Sequence, residues 1–357
     1  MTALRSSFLI LLLILSRASR AEFVELPKVP DFSELQTYEE AIHQLFQGKG
    51  KNFKEIITAG GELDRAYTVL FDGTEWFVKI FREDCYGCEL IRFESEWLLK
   101  KKLSLYPWLV RVNAELVLPD RAATFMLNQK QHYILSYPLV PGRNLSDIYN
   151  QQYLASHYAY FFPEWLQLFY QQYLASDHAL NTKQKILLRK AFYRYGQVLA
   201  LAHLDPRRPA KNIAEMLSRM VRLHLPDRNG NNEIYDQESD RIYLVDLAET
   251  IGEFGEPAYV HEDLEEVVGS LAEMASDAQT RKGFYCGVAY DCIVNPLRQF
   301  ALGYASSLPL YNRKMVITMI GEAMVGYLQK ECLGEMQGDR FCHAVETIEQ
   351  QFLSDQS

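Results

Sequence analysis

Several features are scarce in this chain of 357 residues. It has no low-complexity linker, and positive charge is in deficit, because 37 Lys and Arg face 46 Asp and Glu, for a net charge of −9. Such a balance argues against a whole-protein electrostatic footprint for nucleic acid or an anionic membrane. With 48% apolar and 23% charged residues, the composition fits a packed protein of one large domain or two lobes. Any phosphate must therefore be bound by a local site.

Long apolar runs are also missing beyond the N-terminus. Arg5, the apolar run 8–15 and the small residues around Ala21 follow one another in the order typical of a secretory signal peptide. The run is shorter than the roughly 20 residues that span a bilayer, so we expect cleavage after Ala21, with a retained membrane anchor as the alternative. The mature chain is predicted to have no transmembrane span and to be secreted or to lie in a secretory or periplasmic compartment.

The chain has six cysteines, and an exported protein folds in an oxidising compartment. An even number of cysteines there favours disulfides, whose pairing the sequence leaves open. The six cysteines are Cys85, Cys88, Cys286, Cys292, Cys332 and Cys342. The Cys85–Cys88 spacing also suits a redox pair or half of a zinc site. A redox pair needs a thioredoxin-like unit, and zinc needs a second ligand pair, for which Cys342 with His343 is a weak candidate. A structural disulfide is the favoured interpretation.

Residue patterns divide the chain after the signal peptide (1–21) and an N-terminal extension (22–51). Residues 52–142 favour strands and one helix: a hairpin at 67–71 and 76–81, a helix at 93–103, and strands at 115–118 and 132–137. Residues 143–357 are predicted to be mainly helical, with the clearest helix at 184–204 and a Cys-containing helical tail. The string Gln-Gln-Tyr-Leu-Ala-Ser occurs at 151–156 and 171–176, which indicates a duplicated insertion at about 150–180.

Candidate groups for phosphate chemistry follow one another along the chain. Phosphoryl transfer requires a cover for the phosphates, a cation on them, metal-binding carboxylates and a group that orients the nucleophile. Gly60 and Gly61 precede the first strand of the hairpin, and Lys79 lies on its second strand. The next helix carries Glu94 and Glu96, either of which could pair with Lys79.

The strongest motif combines Asp227, Asn232 five residues later, and Asp246 at the end of an apolar strand. It resembles the catalytic loop and metal-binding motif of the protein kinase-like superfamily, in particular aminoglycoside phosphotransferases and divergent secreted kinases. The resemblance implies a two-lobed α+β fold, with a small β-rich N-lobe containing one key helix and a larger helical C-lobe. The resemblance covers roughly residues 52–271. The segment that follows Glu96 resembles the one after the paired glutamate of protein kinases, which favours Glu96 as the partner of Lys79.

The same resemblance implies the roles of these residues. Asp227 would orient the acceptor hydroxyl, Asn232 and Asp246 would hold Mg²⁺ or Mn²⁺, and Lys79 would contact the phosphates of ATP. The acceptor could be a protein or a small molecule, and nucleotidyl transfer stays open. His224 lies three residues before Asp227 instead of two, and Ala248 stands where the family has glycine. A pseudokinase, which binds partners without transfer, is therefore the alternative.

Two further interpretations compete for these residues. Asp205, which follows the long helix and precedes Asn212, offers a second possible catalytic loop. An EF-hand-like calcium loop is the other, because oxygen-bearing side chains stand at positions 1, 3, 5, 7 and 12 of a twelve-residue segment. These are Asp227, Asn229, Asn231, Glu233 and Glu238. A plain turn between two strands would explain the same segment without any ligand.

Overall fold

The computed structural model describes residues 29–49, 51–56, 63–81, 93, 97, 112–145, 148, 182–225, 232–245, 247, 258–265, 267 and 295–333. Its strands are β1 (Asp31–Leu35), β2 (Lys51–Ile56), β3 (Leu63–Phe71), β4 (Thr74–Phe81), β5 (Ala114–Leu116), β6 (Arg121–Leu127), β7 (Lys130–Pro138), β8 (Arg143–Asn144), β9 (Glu233–Asp236) and β10 (Arg241–Leu244). Its helices are α1 (Tyr38–Leu45), α2 (Thr182–His203), α3 (Ile213–Leu217), α4 (Asn295–Ser306) and α5 (Arg313–Leu333). The predicted signal peptide, the repeat insertion and all six cysteine side chains lie outside this description.

Six strands form the larger sheet, in the order β1-β6-β7-β4-β3-β2. The predicted hairpin is confirmed, because β3 and β4 pair antiparallel and are joined at Asp72 and Gly73. These two residues have φ of 49° and 77°, the left-handed values that a two-residue type I′ turn requires. At the opposite edge, β1 pairs parallel to β6, so part of the N-terminal extension belongs to the sheet.

The two faces of this sheet pack against different partners, because successive side chains of a strand point to opposite sides. On β4, Val78 and Ile80 face a core that includes α1. Phe77 and Phe81 face a second apolar cluster, which also contains Tyr243 of β10. This cluster lies between the larger sheet and the smaller one. We call it the inter-sheet cluster.

The smaller sheet has the order β5-β10-β9-β8. β9 and β10 form an antiparallel hairpin, and β10 also pairs parallel to β5. Because β5 precedes the helical half of the chain and β10 lies within it, the sheet joins the two halves. The strand predicted before Asp246 is confirmed as β10.

Helices α2 and α4 pack at very close range through glycines. A Cβ on Gly196 of α2 would lie 2.0 Å from the backbone oxygen of Phe300, and one on Gly303 of α4 would lie 1.9 Å from that of Tyr193. No side chain fits at either distance, so the two helix backbones touch at both positions. The resulting core contains fully buried Phe192, Phe300 and Tyr304.

The described part is thus α+β, with a mixed sheet-rich region followed by helices, and is compatible with two lobes. The helix predicted at 184–204 is confirmed as α2. Strands β1, β2, β6 and β8 and helix α1 were not predicted from the sequence. None of the helices within the described ranges is long and apolar enough to cross a membrane.

Candidate functional site

Two of the seven predicted site residues lie in the described part of the chain, Lys79 and Asn232. Both are buried, with 7% of their surface exposed, which is unusual for a lysine and for an asparagine. The other five lie outside the described residues: Gly60, Gly61, Glu96, Asp227 and Asp246. The site can therefore be built from these two positions and from what surrounds them.

Lys79 lies on β4, on the face that packs against the inter-sheet cluster. Strand alternation places it between Phe77 and Phe81 on that face, and its Nζ is 5.2 Å from the ring centroid of Tyr137 on β7. This distance allows a cation–π contact, which fixes the ammonium group. Because burial of an ammonium is costly without opposite charge nearby, the position is suited to contact with anionic groups.

Asn232 lies at the open end of the β9–β10 hairpin. Its backbone oxygen accepts a hydrogen bond from the amide of Val245, with an N···O distance of 2.9 Å. This bond extends the strand pairing by one step beyond Glu233 and Leu244. Asn232 therefore lies opposite the residue that precedes Asp246 in the sequence.

The inter-sheet cluster connects the two described site residues. Val245, the partner of Asn232, packs in the same cluster as Phe77 and as Tyr137, the aromatic partner of Lys79. Lys79 thus lies beside the cluster through Tyr137, and the backbone of Asn232 is bonded to Val245, which packs against the same cluster. A lysine ammonium is a group that binds phosphate, and an amide oxygen is a group that binds hard cations.

Two polar contacts attach the hairpin to α2. Arg194 of α2 donates from Nε and Nη2 to Oδ2 of Asp240 in the hairpin turn, at 3.2 and 2.5 Å, and Tyr235 donates to Oδ1 at 2.7 Å. The hydrogen bond from Arg194 is the main reason why the pKa of Asp240 is lowered, against the opposing effect of burial. Near the other end, the hydroxyl of Tyr195 donates to buried Glu233 at 3.3 Å. The hairpin is therefore held at both ends.

A buried carboxylate between two histidines was not foreseen. Asp263 contacts Nε2 of His203 at 3.2 Å and Nε2 of His224 at 2.9 Å. The Asp263 oxygens and His203 Nε2 have no aligned hydrogen bond, and the two contacts are ion pairs when the histidines are protonated. Asp263 lies in the helical segment 260–265. Sequence offers no signal for the grouping, because 60 residues separate the first and last members.

The two histidines determine the charge of Asp263. Burial alone would raise its pKa, but the contacts with His203 and His224 outweigh burial and hold the pKa well below the ordinary value of 3.8. On the other side, His203 Nδ1 lies 2.9 Å from the hydroxyl of Tyr304, whose pKa burial raises well above normal. His224 is thereby anchored three residues before Asp227.

The alternative loop at Asp205 has structural roles of its own. Asp205 accepts hydrogen bonds from the backbone and side chain of Arg207, which lower its pKa to about 2. Asn212 is the N-cap of α3 and accepts a hydrogen bond from the amide of Glu215 at 2.9 Å. Helix capping is the usual reason for asparagine at such a position.

The described part of the predicted calcium loop is residues 232–238, and the calcium interpretation itself stays a prediction. Glu233 begins strand β9 and accepts the hydroxyl of Tyr195, while Glu238 lies beyond the far end of that strand. This part of the segment is therefore a strand followed by a turn. Within the described residues, no three His, Cys, Asp or Glu side chains are arranged to hold a metal ion.

Comparisons with known proteins identify no family for this chain. No protein family model matches the sequence, and no curated protein resembles it significantly.

Proposed function

We propose that this chain is an exported, ATP- and magnesium-dependent phosphotransferase of the kinase-like superfamily that acts on a hydroxyl of a protein or a small molecule. The observation that carries the proposal is the inter-sheet cluster, which joins the aromatic partner of Lys79 to the Asn232–Val245 pair. Both residues are buried, and separate features of the sequence select them: Lys79 by its place on the hairpin and Asn232 by its place in the motif.

Under this proposal each residue has a defined task. Lys79 binds phosphate oxygens and Glu96 orients its ammonium group, while the backbone at Gly60 and Gly61 covers the phosphates. The carboxamide of Asn232 and the carboxylate of Asp246 hold the metal, either Mg²⁺ or Mn²⁺. Asp227 orients the acceptor hydroxyl and accepts its proton.

The donor set fits the metal, because magnesium prefers oxygen ligands and commonly keeps only one or two from the protein. When bound, it supplies positive charge to the phosphate oxygens. The protein contributes positions fixed in advance: β4 and Tyr137 hold Lys79, and the hairpin holds Asn232. Groups that need not reorganise during the reaction stabilise developing charge most effectively. The His224–Asp263 pair anchors the chain just before Asp227.

Three alanine variants of the full chain test the proposal. Asp246→Ala should abolish metal-dependent nucleotide binding. Asp227→Ala should spare binding but lower transfer of the γ-phosphate by about 10²–10⁴-fold, because a general base contributes that much. Asp205→Ala is the control and should leave both unchanged. If Asp205→Ala stops transfer while Asp227→Ala is harmless, the assigned loop is wrong; if all three behave like wild type, the site is absent.

A pseudokinase module is the second candidate, favoured by Ala248 and by the spacing of His224 and Asp227. Such a module would be stabilised by a protein partner and would transfer no phosphate. Because a ligand of the folded state raises the unfolding free energy, thermal unfolding with nucleotide and with candidate partners separates the two. Phosphate transfer by the wild-type chain would reject the second candidate.

A further inference from the structure

Positive charge is concentrated on one part of this acidic protein. Segments 204–223 and 307–321 hold seven Lys and Arg but two Asp and Glu, a formal charge of +5 in a chain of net charge −9. The segments lie side by side, because the hydroxyl of Tyr311 donates to the backbone oxygens of Asp205 at 3.2 Å and Arg208 at 2.7 Å. We use the name basic surface for the exposed cations Arg207, Arg208, Lys211, Arg313 and Lys314.

The backbone under the basic surface is fixed from inside. Arg219 donates to the backbone oxygens of Arg208 at 2.5 Å and Pro209 at 3.4 Å, in addition to the contacts from Tyr311. The side chains of Arg207 and Arg208 nevertheless remain 83% and 85% exposed. A loop that is ordered before binding loses less conformational entropy when a partner binds.

The acidic side chains of these segments neutralise only part of the basic surface, because Asp205 contacts Arg207 at 3.1 Å and Arg208 at 4.0 Å and no acidic residue of the segments pairs with the side chains of Lys211, Arg313 and Lys314 among the described contacts. Glu215 is paired with Arg219. Helix α5 begins with Arg313 and Lys314 and has no acidic residue in its first turn. Cations at a helix N-terminus are electrostatically unfavourable, so these two side chains do not contribute to the stability of the helix.

We propose that the basic surface binds an acidic segment of a partner protein. The planar guanidinium of Arg208 matches a carboxylate, with which it can form two parallel hydrogen bonds. Leu310, which is 63% exposed, adjoins Tyr311 and offers an apolar contact suited to a polypeptide. The net charge of −9 disfavours long polyanions such as nucleic acids or anionic membranes, which interact over longer distances. This proposal does not depend on phosphotransfer.

Binding of a fluorescent octaglutamate peptide to the full chain, followed by fluorescence polarisation, tests the proposal. We expect the affinity for the peptide to decrease when the NaCl concentration is raised from about 50 mM to about 150 mM, because salt screens exposed charges. The double variant Arg208→Glu/Lys211→Glu should bind about tenfold more weakly or worse. The control Lys49→Glu/Lys54→Glu makes the same charge change at exposed lysines elsewhere and should stay within about twofold of wild type.

A second variant guards against a folding defect in the loop. Arg313→Glu/Lys314→Glu places acidic residues where the α5 dipole favours them, so it should fold at least as well as wild type and also bind weakly. Absence of peptide binding by the wild type would overturn the proposal, as would equal losses in the variants and the lysine control. Tighter binding of an oligothymidylate or of phosphatidylserine vesicles than of the peptide would show that the partner class is wrong.

Discussion

The backbone oxygen of Asn232 accepts a hydrogen bond from the amide of Val245, which holds together the two residues that flank β9 and β10 at the hairpin's open end. The two residues proposed to hold metal, Asn232 and Asp246, are therefore related by strand register. The position of Asn232 depends on how well the hairpin is anchored to α2.

The anchor between Arg194 and Asp240 can be removed without touching the proposed site. Arg194→Met should lower the unfolding free energy by about 1 kcal/mol, since the pair is partly exposed and solvent screens it. Nucleotide affinity should fall as well, because Asn232 loses part of its support. Chemical denaturation and a nucleotide titration measure the two effects.

Arg241→Met is the matched control for that variant. It breaks the more exposed ion pair between Arg241 and Glu115 on the same sheet, and pairs of this kind contribute little. Unchanged nucleotide affinity in Arg194→Met, with the expected loss of stability, would show that the hairpin anchor does not support the site.

The buried carboxylate of Asp263 makes stability depend on pH. Its pKa is lowered in the folded state, so its contribution is complete above the unfolded value of 3.8 and is lost as pH falls towards the folded value. Asp263→Asn should lower the unfolding free energy by about 1–3 kcal/mol at neutral pH, since it leaves the buried groups around His203 without their carboxylate partner. The midpoint of urea unfolding, measured from about pH 5 to about pH 2, should fall less steeply in this variant.

Glu262→Gln, one residue away on the same helical segment, is the control for that pH profile. Its exposed side chain accepts a hydrogen bond from the amide of Tyr259, and glutamine can accept the same bond. The control should follow the wild-type profile. If Asp263→Asn also follows it, the ion pairs with His203 and His224 do not stabilise the fold.

The contact between α2 and α4 predicts different outcomes for two helical glycines. Gly196→Ala should destabilise the protein by about 1–3 kcal/mol or more, because the new methyl group would meet the backbone of Phe300. Among the described residues, the methyl group of Gly326→Ala in α5 would meet only Glu265 Oε1, at 3.6 Å, so this variant should gain up to about 1 kcal/mol of unfolding free energy from helix propensity. Thermal unfolding of both variants measures the difference, and equal effects would contradict the close helix contact.

Local sequence patterns were sufficient for some elements and not for others. The β3–β4 hairpin has alternating apolar residues around an Asp-Gly turn, and α2 has a long helical period, so both could be predicted. β6 contains two alanines, which have low strand propensity, and β1 is mostly polar. Both are strands because they pair with each other, and β6 with β7, contacts that no local window contains.

The site shows the same division. The apolar run before Asp246 predicted a strand there, which is β10, and the alternation around Lys79 predicted the strand on which it lies, which is β4. The assignment of these residues to a site stays a prediction. The grouping of His203, His224 and Asp263 could not be predicted, because the three residues come from distant segments that meet only through packing. A single sequence does not show which distant residues lie close together in the fold.

Metal-dependent nucleotide binding tests the central claim most directly, and thermal unfolding of the full chain with ATP measures it. When magnesium is present and the ATP concentration is about a hundredfold above its Kd, the unfolding free energy of the wild type should rise by about 2.7 kcal/mol. Lys79→Met and Asn232→Ala should lose most of this gain, and Lys54→Met, at an exposed position, should keep it. EDTA should abolish it in every variant. The proposed site would be contradicted if magnesium and ATP did not stabilise the wild type. It would also be contradicted if Lys79→Met and Asn232→Ala were stabilised as much as the wild type.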